Sequence, residues 1–302
     1  MQSVSERNVT GVRATVKAYL QLVRLPNAFT AAADVVAGFL AAGGWPGDAP
    51  RLPWIVLASV CLYSGGIVLN DVCDLEVDRR ERPGRPLPSG RVRWVVACGL
   101  AAALLAAGFG AAALVTGASA AVAAGLVLLI VLYDAWAKQH PVRGPLFMGS
   151  CRFGNVILGT TAVPAAQTLQ WIPALLIAGL VVAATILSRD EVGGGRRGGV
   201  LGASMGLAAI AALTAAWMGG GSRDAWGWLF LAAFLAFTGP PLVRAWRSPG
   251  PEAIQGGVKR MVLGIIPLDA VVAAGAAGPV AGCLVLALLV PSWWIARWIY
   301  VT

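Results

Sequence analysis

Asp71, Asp74 and Asp78 stand at i, i+3 and i+7 in the stretch NDVCDLEVDRRERPGRPLPSGRV, which begins at Asn70. On a helix that turns about 100° per residue, the three fall within about 60° of one another on one face, with Asn70 a step to the side. Carboxylates so close repel each other, and at a membrane edge they are costly without a positive partner. Oxygen donors suit hard divalent cations, and Mg²⁺ is typically held by a few carboxylates plus phosphate oxygens of a substrate. The guanidiniums that follow, Arg79, Arg80, Arg82 and Arg85, are phosphate donors. A diphosphate joined to the aspartates through Mg²⁺ and clamped by the arginines satisfies both clusters at once. A solvated helix end with a basic loop that only sets membrane orientation explains the arginines as well, but not the acids.

The elements that must carry this cluster are read from hydropathy. The chain has 302 residues, 58% hydrophobic and only 12% charged, against about 25% charged in soluble domains. Apolar runs of about 20 residues recur from end to end, the pattern of a polytopic membrane protein. Spans are expected at 27–44, 53–78, 94–116, 118–137, 145–165, 171–190, 200–218, 226–246, 256–277 and 279–299. The first reads as a mature membrane helix rather than a leader, because no small-residue cleavage site follows it. Residues 1–302 are expected to form a single all-α membrane domain.

Charge tests that count. Alternate connections are nearly bare, whereas the others carry Arg13, Lys17 and Arg24, the run from Arg79 to Arg93, Lys138 and Arg143, Arg196 and Arg197, and Arg244 to Arg260. The positive-inside rule then places the basic side in the cytoplasm of an inner-membrane protein, with the site facing it. The net charge of +9 follows from this bias and from attraction to anionic membrane lipid, and gives no argument for nucleic acid. Five cysteines without paired spacing and a lone His140 support neither a disulfide frame nor a zinc site.

The motif NDxxDxxxDxxxxRPxRPxxxG, here Asn70, Asp71, Asp74, Asp78, Arg82, Pro83, Arg85, Pro86 and Gly90, resembles the first aspartate-rich motif of the UbiA superfamily of intramembrane prenyltransferases. The resemblance covers roughly residues 20–277. It implies a helical bundle of nine spans around a central cavity, with an isoprenyl diphosphate held by its head on Mg²⁺ and its tail between helices. Residues 279–299 then read as an additional C-terminal helix, which resembles the EboC-like branch.

Other constellations join it. YDAWAK at the end of the fourth span supplies Tyr133, Asp134 and Lys138. On an α-helix Asp134 and Lys138 share a face, while Tyr133 and Lys138 do not. Alone, this is an interfacial tyrosine with a snorkelling lysine; the family's similar element implies that Lys138 touches the diphosphate. Arg152 in the fifth span, with Asn155 nearby, must face a partner or an aqueous cavity; the resemblance implies a place near diphosphate or acceptor, and a structural pair with a buried carboxylate is the competing reading. Asp34 and Asp269 are intramembrane acids that fit structural pairing and cavity lining equally. Asn27, in RLPNAF, is implied near the acceptor, although Pro26 and Asn27 are also ordinary helix-start residues.

SRDEVGGGRRGG ends the sixth span with Arg189, Asp190 and Glu191. The family's second motif implies a further aspartate where Gly194 stands, so Asp190 is the expected metal ligand there, with Glu191 as a substitute pointing about 100° away.

Together these residues imply Mg²⁺-dependent transfer of an isoprenyl group from a polyprenyl diphosphate to an unidentified small acceptor. Asp71, Asp74, Asp78 and Asp190 are the expected catalytic metal-binding acids. Asn70, Arg82, Arg85, Lys138, Tyr133, Arg152, Asn155, Asn27 and Arg189 are the expected substrate contacts. Capture of the cation within its own chain, as in a terpene cyclase, uses the same motifs. A transporter or lipid-binding protein is the reading from another class, and it fits less well because the charges crowd one membrane side.

Overall fold

The computed structural model describes residues 4–166, 170–189, 197–220, 223–248 and 250–299, with side chains described from residue 13 onward except at 197. Helices follow in chain order as α1 (Val4–Leu22), α2 (Leu25–Ala41), α3 (Leu52–Cys73), α4 (Leu75–Glu81), α5 (Trp94–Ala113), α6 (Gly117–Leu132) and α7 (Arg143–Thr161). Beyond them come α8 (Trp171–Ser188), α9 (Arg197–Gly219), α10 (Trp226–Arg247), α11 (Pro251–Leu263), α12 (Ile265–Ala277), α13 (Pro279–Ala287) and α14 (Leu289–Trp298). No strand occurs among the described residues.

Among the described residues, eight rods are long and apolar enough to cross a membrane, counting α11 with α12 and α13 with α14 as single rods. Of the two other expected spans, α2 is apolar but short, and α7 carries Arg143 and Arg152. Each of the ten expected spans therefore has a helical counterpart. Four depart from expectation in detail, the tenth through a break at Leu288 between α13 and α14. The second breaks at Asp74, where φ −92° and ψ 6° separate α3 from α4. The fourth ends in a π-turn over Tyr133–Ala137. The ninth begins at Pro251 and is interrupted at Gly264. Ahead of the first span lies a polar helix that hydropathy alone does not flag. In α1, Ala18 and Leu22 are buried with Val68, Leu87 and Val92, so this helix packs over the loop that follows the acidic motif.

α2 is the hub of the bundle and packs against α3, α7, α12 and α14. Its contact with α7 is close because both helices present glycine. A Cβ on Gly38 would lie 2.1 Å from the Val156 carbonyl oxygen, and one on Gly159 would lie 2.1 Å from that of Val35. With no water to squeeze out between helices in lipid, such backbone contact is where packing energy comes from. Gly159→Ala is expected to push α2 from α7 and lower stability by about 1–3 kcal/mol, the usual range for overpacking; a thermal melt in detergent micelles checks it. α12 runs through the interior, with residues from Ile265 to Gly275 buried on every side. The break at Asp74, the π-turn and the start of α2 meet at one end of the bundle, through the side-chain contacts described next.

Candidate functional site

The helix break decides how the acidic motif is used. At Asp74 the chain leaves α3 and restarts as α4, so the three aspartates no longer lie on one continuous face. Asp71 and Asp78 are buried and converge on Arg85, whose Nη1 stands 3.5 Å from Asp71 Oδ1 and 2.7 Å from Asp78 Oδ2. Asp74 turns away to Lys138, with Nζ 2.6 Å from its Oδ1. Arg85 reaches inward because the loop after α4 is folded back on itself. The Ser89 hydroxyl donates to the Arg85 carbonyl at 2.6 Å, Arg91 Nη2 donates to the Gly84 carbonyl at 2.6 Å, and Gly90 takes φ +73°. That φ lies in the left-handed region glycine favours.

The two RP arginines of the motif therefore part company. Arg85 is buried between two carboxylates, whereas Arg82 is exposed and pairs with none of the three aspartates. Spacing cannot separate them, since both follow the triad within one loop.

A second cation on Asp71 escapes sequence reading altogether. Arg24 joins α1 to α2 at φ 46°, ψ 52°, a left-handed conformation rare for a residue with a side chain, at a cost of about 1–3 kcal/mol. Its Nη2 lies 3.0 Å from Asp71 Oδ1. In sequence it is one more basic residue before the first span, and nothing local announces the backbone twist. Asn27, three residues on, is half-buried in the first turn of α2, with its backbone N–H donating to the Arg24 carbonyl at 2.8 Å.

The fourth span brings its residues in through the π-turn. Lys138 N–H donates to the Tyr133 carbonyl at 3.0 Å, five residues back. This wider turn brings residues five apart onto neighbouring positions, so the expectation that Tyr133 and Lys138 occupy different faces holds for an α-helix but not here. Turns of this kind cluster at functional sites. Lys138 Nζ is 3.7 Å from Asp134 Oδ1, which also accepts from Asn70 Nδ2 at 2.7 Å. Asn70 and Asp134 thus tie the first motif to the YDAWAK segment. Arg189, just past α8, donates from Nη2 to the carbonyls of Lys138 at 2.8 Å and His140 at 2.9 Å. Asp190 and Glu191 lie outside the described residues.

Arg152 and Asn155 stand elsewhere. Arg152 Nη1 donates to Asp34 Oδ2 at 2.8 Å, Nη2 to Thr30 Oγ1 at 2.9 Å, and the guanidinium lies over the Tyr63 ring at 4.9 Å. Asn155 Nδ2 donates to the same Asp34 oxygen at 3.0 Å, and its Oδ1 accepts from Ser59 Oγ at 2.7 Å. Asp34 lies about 15 Å further along α2 than Arg24, at 1.5 Å per residue. Arg152 thus has in Asp34 the buried carboxylate partner that the competing reading asked for. Asp269 on α12 is fully buried and faces Asp34, yet neither of its oxygens nor Asp34 Oδ1 meets a donor.

The acids at the α3–α4 break, Asp71, Asp74, Asp78 and Asp134, and the Asn70 side chain are oxygen ligands, with the free Cys73 thiol beside them. Such an oxygen set is the chemistry of a Mg²⁺ site. Among the described residues no three acidic groups converge on one point. Mg²⁺ does not require this, since one or two carboxylates with substrate phosphate oxygens are its usual set. The residues therefore fit the ion as one shared between protein and diphosphate.

Comparison with known proteins agrees with this geometry. The UbiA prenyltransferase family matches residues 31–248. The digeranylgeranylglyceryl phosphate synthase of Methanopyrus kandleri is 37% identical over 153 residues, covering 49% of this chain and 56% of that one. The chain spans about half the length of the curated relatives it matches. Among solved structures, the apo UbiA homolog of Aeropyrum pernix superposes with a TM-score of 0.68 at 19% identity, over 82% of this chain and 96% of that one. A UbiA homolog of Archaeoglobus fulgidus bound to GPP and Mg²⁺ gives a TM-score of 0.50 at 14% identity, over 89% and 99%. These two likenesses are of fold. With the family match extending over most of the sequence and the aspartate motif inside it, the chain belongs to the UbiA prenyltransferase family.

Proposed function

We propose that the protein is a Mg²⁺-dependent intramembrane prenyltransferase that moves an isoprenyl group from a polyprenyl diphosphate to a small acceptor and releases diphosphate. The observation that carries this reading is the interleaving of Asp71, Asp74 and Asp78 with Arg24, Arg85 and Lys138 in one cluster. Paired cations and anions of this kind are set to exchange partners. When a diphosphate enters, Arg24, Arg85 and Lys138 give up carboxylate oxygens for phosphate oxygens, gaining charge-assisted hydrogen bonds. Asp74, with Asp71 or Asp78, would hold Mg²⁺, which supplies neutralisation of the leaving diphosphate. Asp190, which follows α8 directly, is proposed as an acid of the opposite half-site. Asn70 orients Asp134, and Asp134 orients Lys138, so that its ammonium stays beside the acids. The apolar helices around the cluster exclude water, which preserves the allylic cation until the acceptor captures it. By the positive-inside rule, the basic loops support a cytoplasmic position for this end of the bundle.

The name of the similar synthases, whose product carries two geranylgeranyl groups, supports a geranylgeranyl donor and a glyceryl phosphate acceptor that already bears one such group as the first pair to test. The same names give no support to internal cyclisation or to transport. The test is diphosphate release from geranylgeranyl diphosphate by protein in proteoliposomes, with and without that glyceryl phosphate acceptor and with Mg²⁺ or EDTA. Release that needs both Mg²⁺ and acceptor is expected. Release that proceeds equally without acceptor, accompanied by a cyclic hydrocarbon, would replace the transferase with a cyclase.

A further inference from the structure

Arg189 is among the substrate contacts expected from sequence, but its surroundings suit a different task. Its Nη2 donates to two main-chain carbonyls at once, Lys138 at 2.8 Å and His140 at 2.9 Å. The Lys138 carbonyl caps the π-turn, where helical carbonyls run out of N–H partners, while the His140 carbonyl is shared with the Gly144 N–H. The place for the guanidinium is cut into the neighbouring helix. A Cβ on Gly144 would lie 2.5 Å from Arg189 Nη2 and 2.9 Å from the Lys138 carbonyl oxygen. Gly144 is buried and bonded through its own N–H to the His140 carbonyl at 3.0 Å. His140 Nδ1 in turn accepts from the N–H groups of Val142 and Arg143, each at 3.2 Å. Residues 138–144 therefore form a small fixed turn with the Arg189 side chain as one of its struts.

The turn has a functional load. It carries Lys138, whose Nζ stands 2.6 Å from Asp74 and 3.7 Å from Asp134. Arg189 itself sits immediately before Asp190. One side chain thus joins the end of α8 to the turn that carries this lysine.

We propose that Arg189 is a positioning residue: docked in the notch left by Gly144, it holds the turn that carries Lys138, and it does not bind diphosphate itself. This rests on the transferase reading given above. A guanidinium committed to two carbonyls keeps its charge near the site, but its directed donors fix the backbone of Lys138. Loss of the strut leaves substrate able to bind and Lys138 poorly placed against the leaving group, a fault expressed in turnover.

The experiment uses the intact chain in nanodiscs and compares Arg189→Ala, Gly144→Ala and the double variant. Amide hydrogen exchange over residues 138–146, without ligand, reads the turn directly. Each single variant is expected to raise exchange there by roughly tenfold, on the scale of one net hydrogen bond. Steady-state assays are expected to show kcat lowered with the donor KM changed by less than about twofold, and the double variant to fall short of the sum of the two losses, because both remove the Arg189 contact while the Cβ at 144 also presses on the Lys138 carbonyl. Gly144→Ala keeps the guanidinium in the chain. If it leaves kcat and exchange at wild-type values while Arg189→Ala raises the donor KM, Arg189 is a diphosphate ligand and the strut is wrong. Should Gly144→Ala fail to fold, unchanged exchange over 138–146 in Arg189→Ala overturns the proposal by itself. If the wild type releases no diphosphate at all, the transferase reading fails, while the exchange measurement still decides whether the strut exists.

Discussion

Asp74→Ala is expected to lower Mg²⁺-dependent diphosphate release by about a hundredfold to a thousandfold, the loss typical of removing one group that stabilises developing charge, while leaving the thermal midpoint nearly unchanged. Asp74 is the one member of the triad that remains partly open, its side chain 22% exposed, and Lys138 is its one ion-pair partner among the described residues. Lys138 keeps Asp134 within 3.7 Å, so the substitution does not strand a buried charge. Asp78→Ala removes another acid of the proposed site but behaves differently. It takes from the buried Arg85 its closest carboxylate, at 2.7 Å, and the contact to Asp71 that remains is longer, at 3.5 Å. That variant is expected to lose activity and stability together. Activity assays alongside thermal melts of both variants separate the two outcomes. An Asp74→Ala protein with wild-type release would end the proposed mechanism.

Asp34→Ala is expected to be the most damaging single change to stability, costing about 3–5 kcal/mol because it strands a buried guanidinium. Arg152 has no other carboxylate bonded to it among the described residues, and its remaining partners are the Thr30 hydroxyl and the Tyr63 ring. Asn155 Nδ2 loses one of its two acceptors in the same change. Asp269→Asn is the informative contrast. The Asp269 oxygens and Asp34 Oδ1 lack donors, and an asparagine amide in that position can donate to Asp34 without adding a second negative charge. The Asp269→Asn variant is expected to melt at or above the wild-type temperature, and the Asp34→Ala variant far below it. A drop for Asp269→Asn as large as that for Asp34→Ala would show that the Asp269 carboxyl holds something the present network does not include.

The parts of the protein that sequence determined are those governed by local periodicity. The length of each apolar run follows from bilayer thickness, and each expected span is found as a helix. The i, i+3, i+7 spacing gathers Asp71, Asp74 and Asp78 at one helix end, and the i, i+4 spacing of Asp134 and Lys138 yields a contact. What spacing cannot carry is where a helix stops being regular. The break at Asp74 and the π-turn at Tyr133 each redirect a side chain by a fraction of a turn, which decides that Arg85 takes Asp71 and Asp78 while Lys138 takes Asp74. Pairings between distant segments are equally out of reach. Arg24 on Asp71, Asn70 on Asp134, and Arg152 and Asn155 on Asp34 depend on how helices pack, and packing here is set by glycine notches such as Gly38 and Gly159. An isolated charge in a sequence says that it must have a partner in lipid; only the packed bundle says which one.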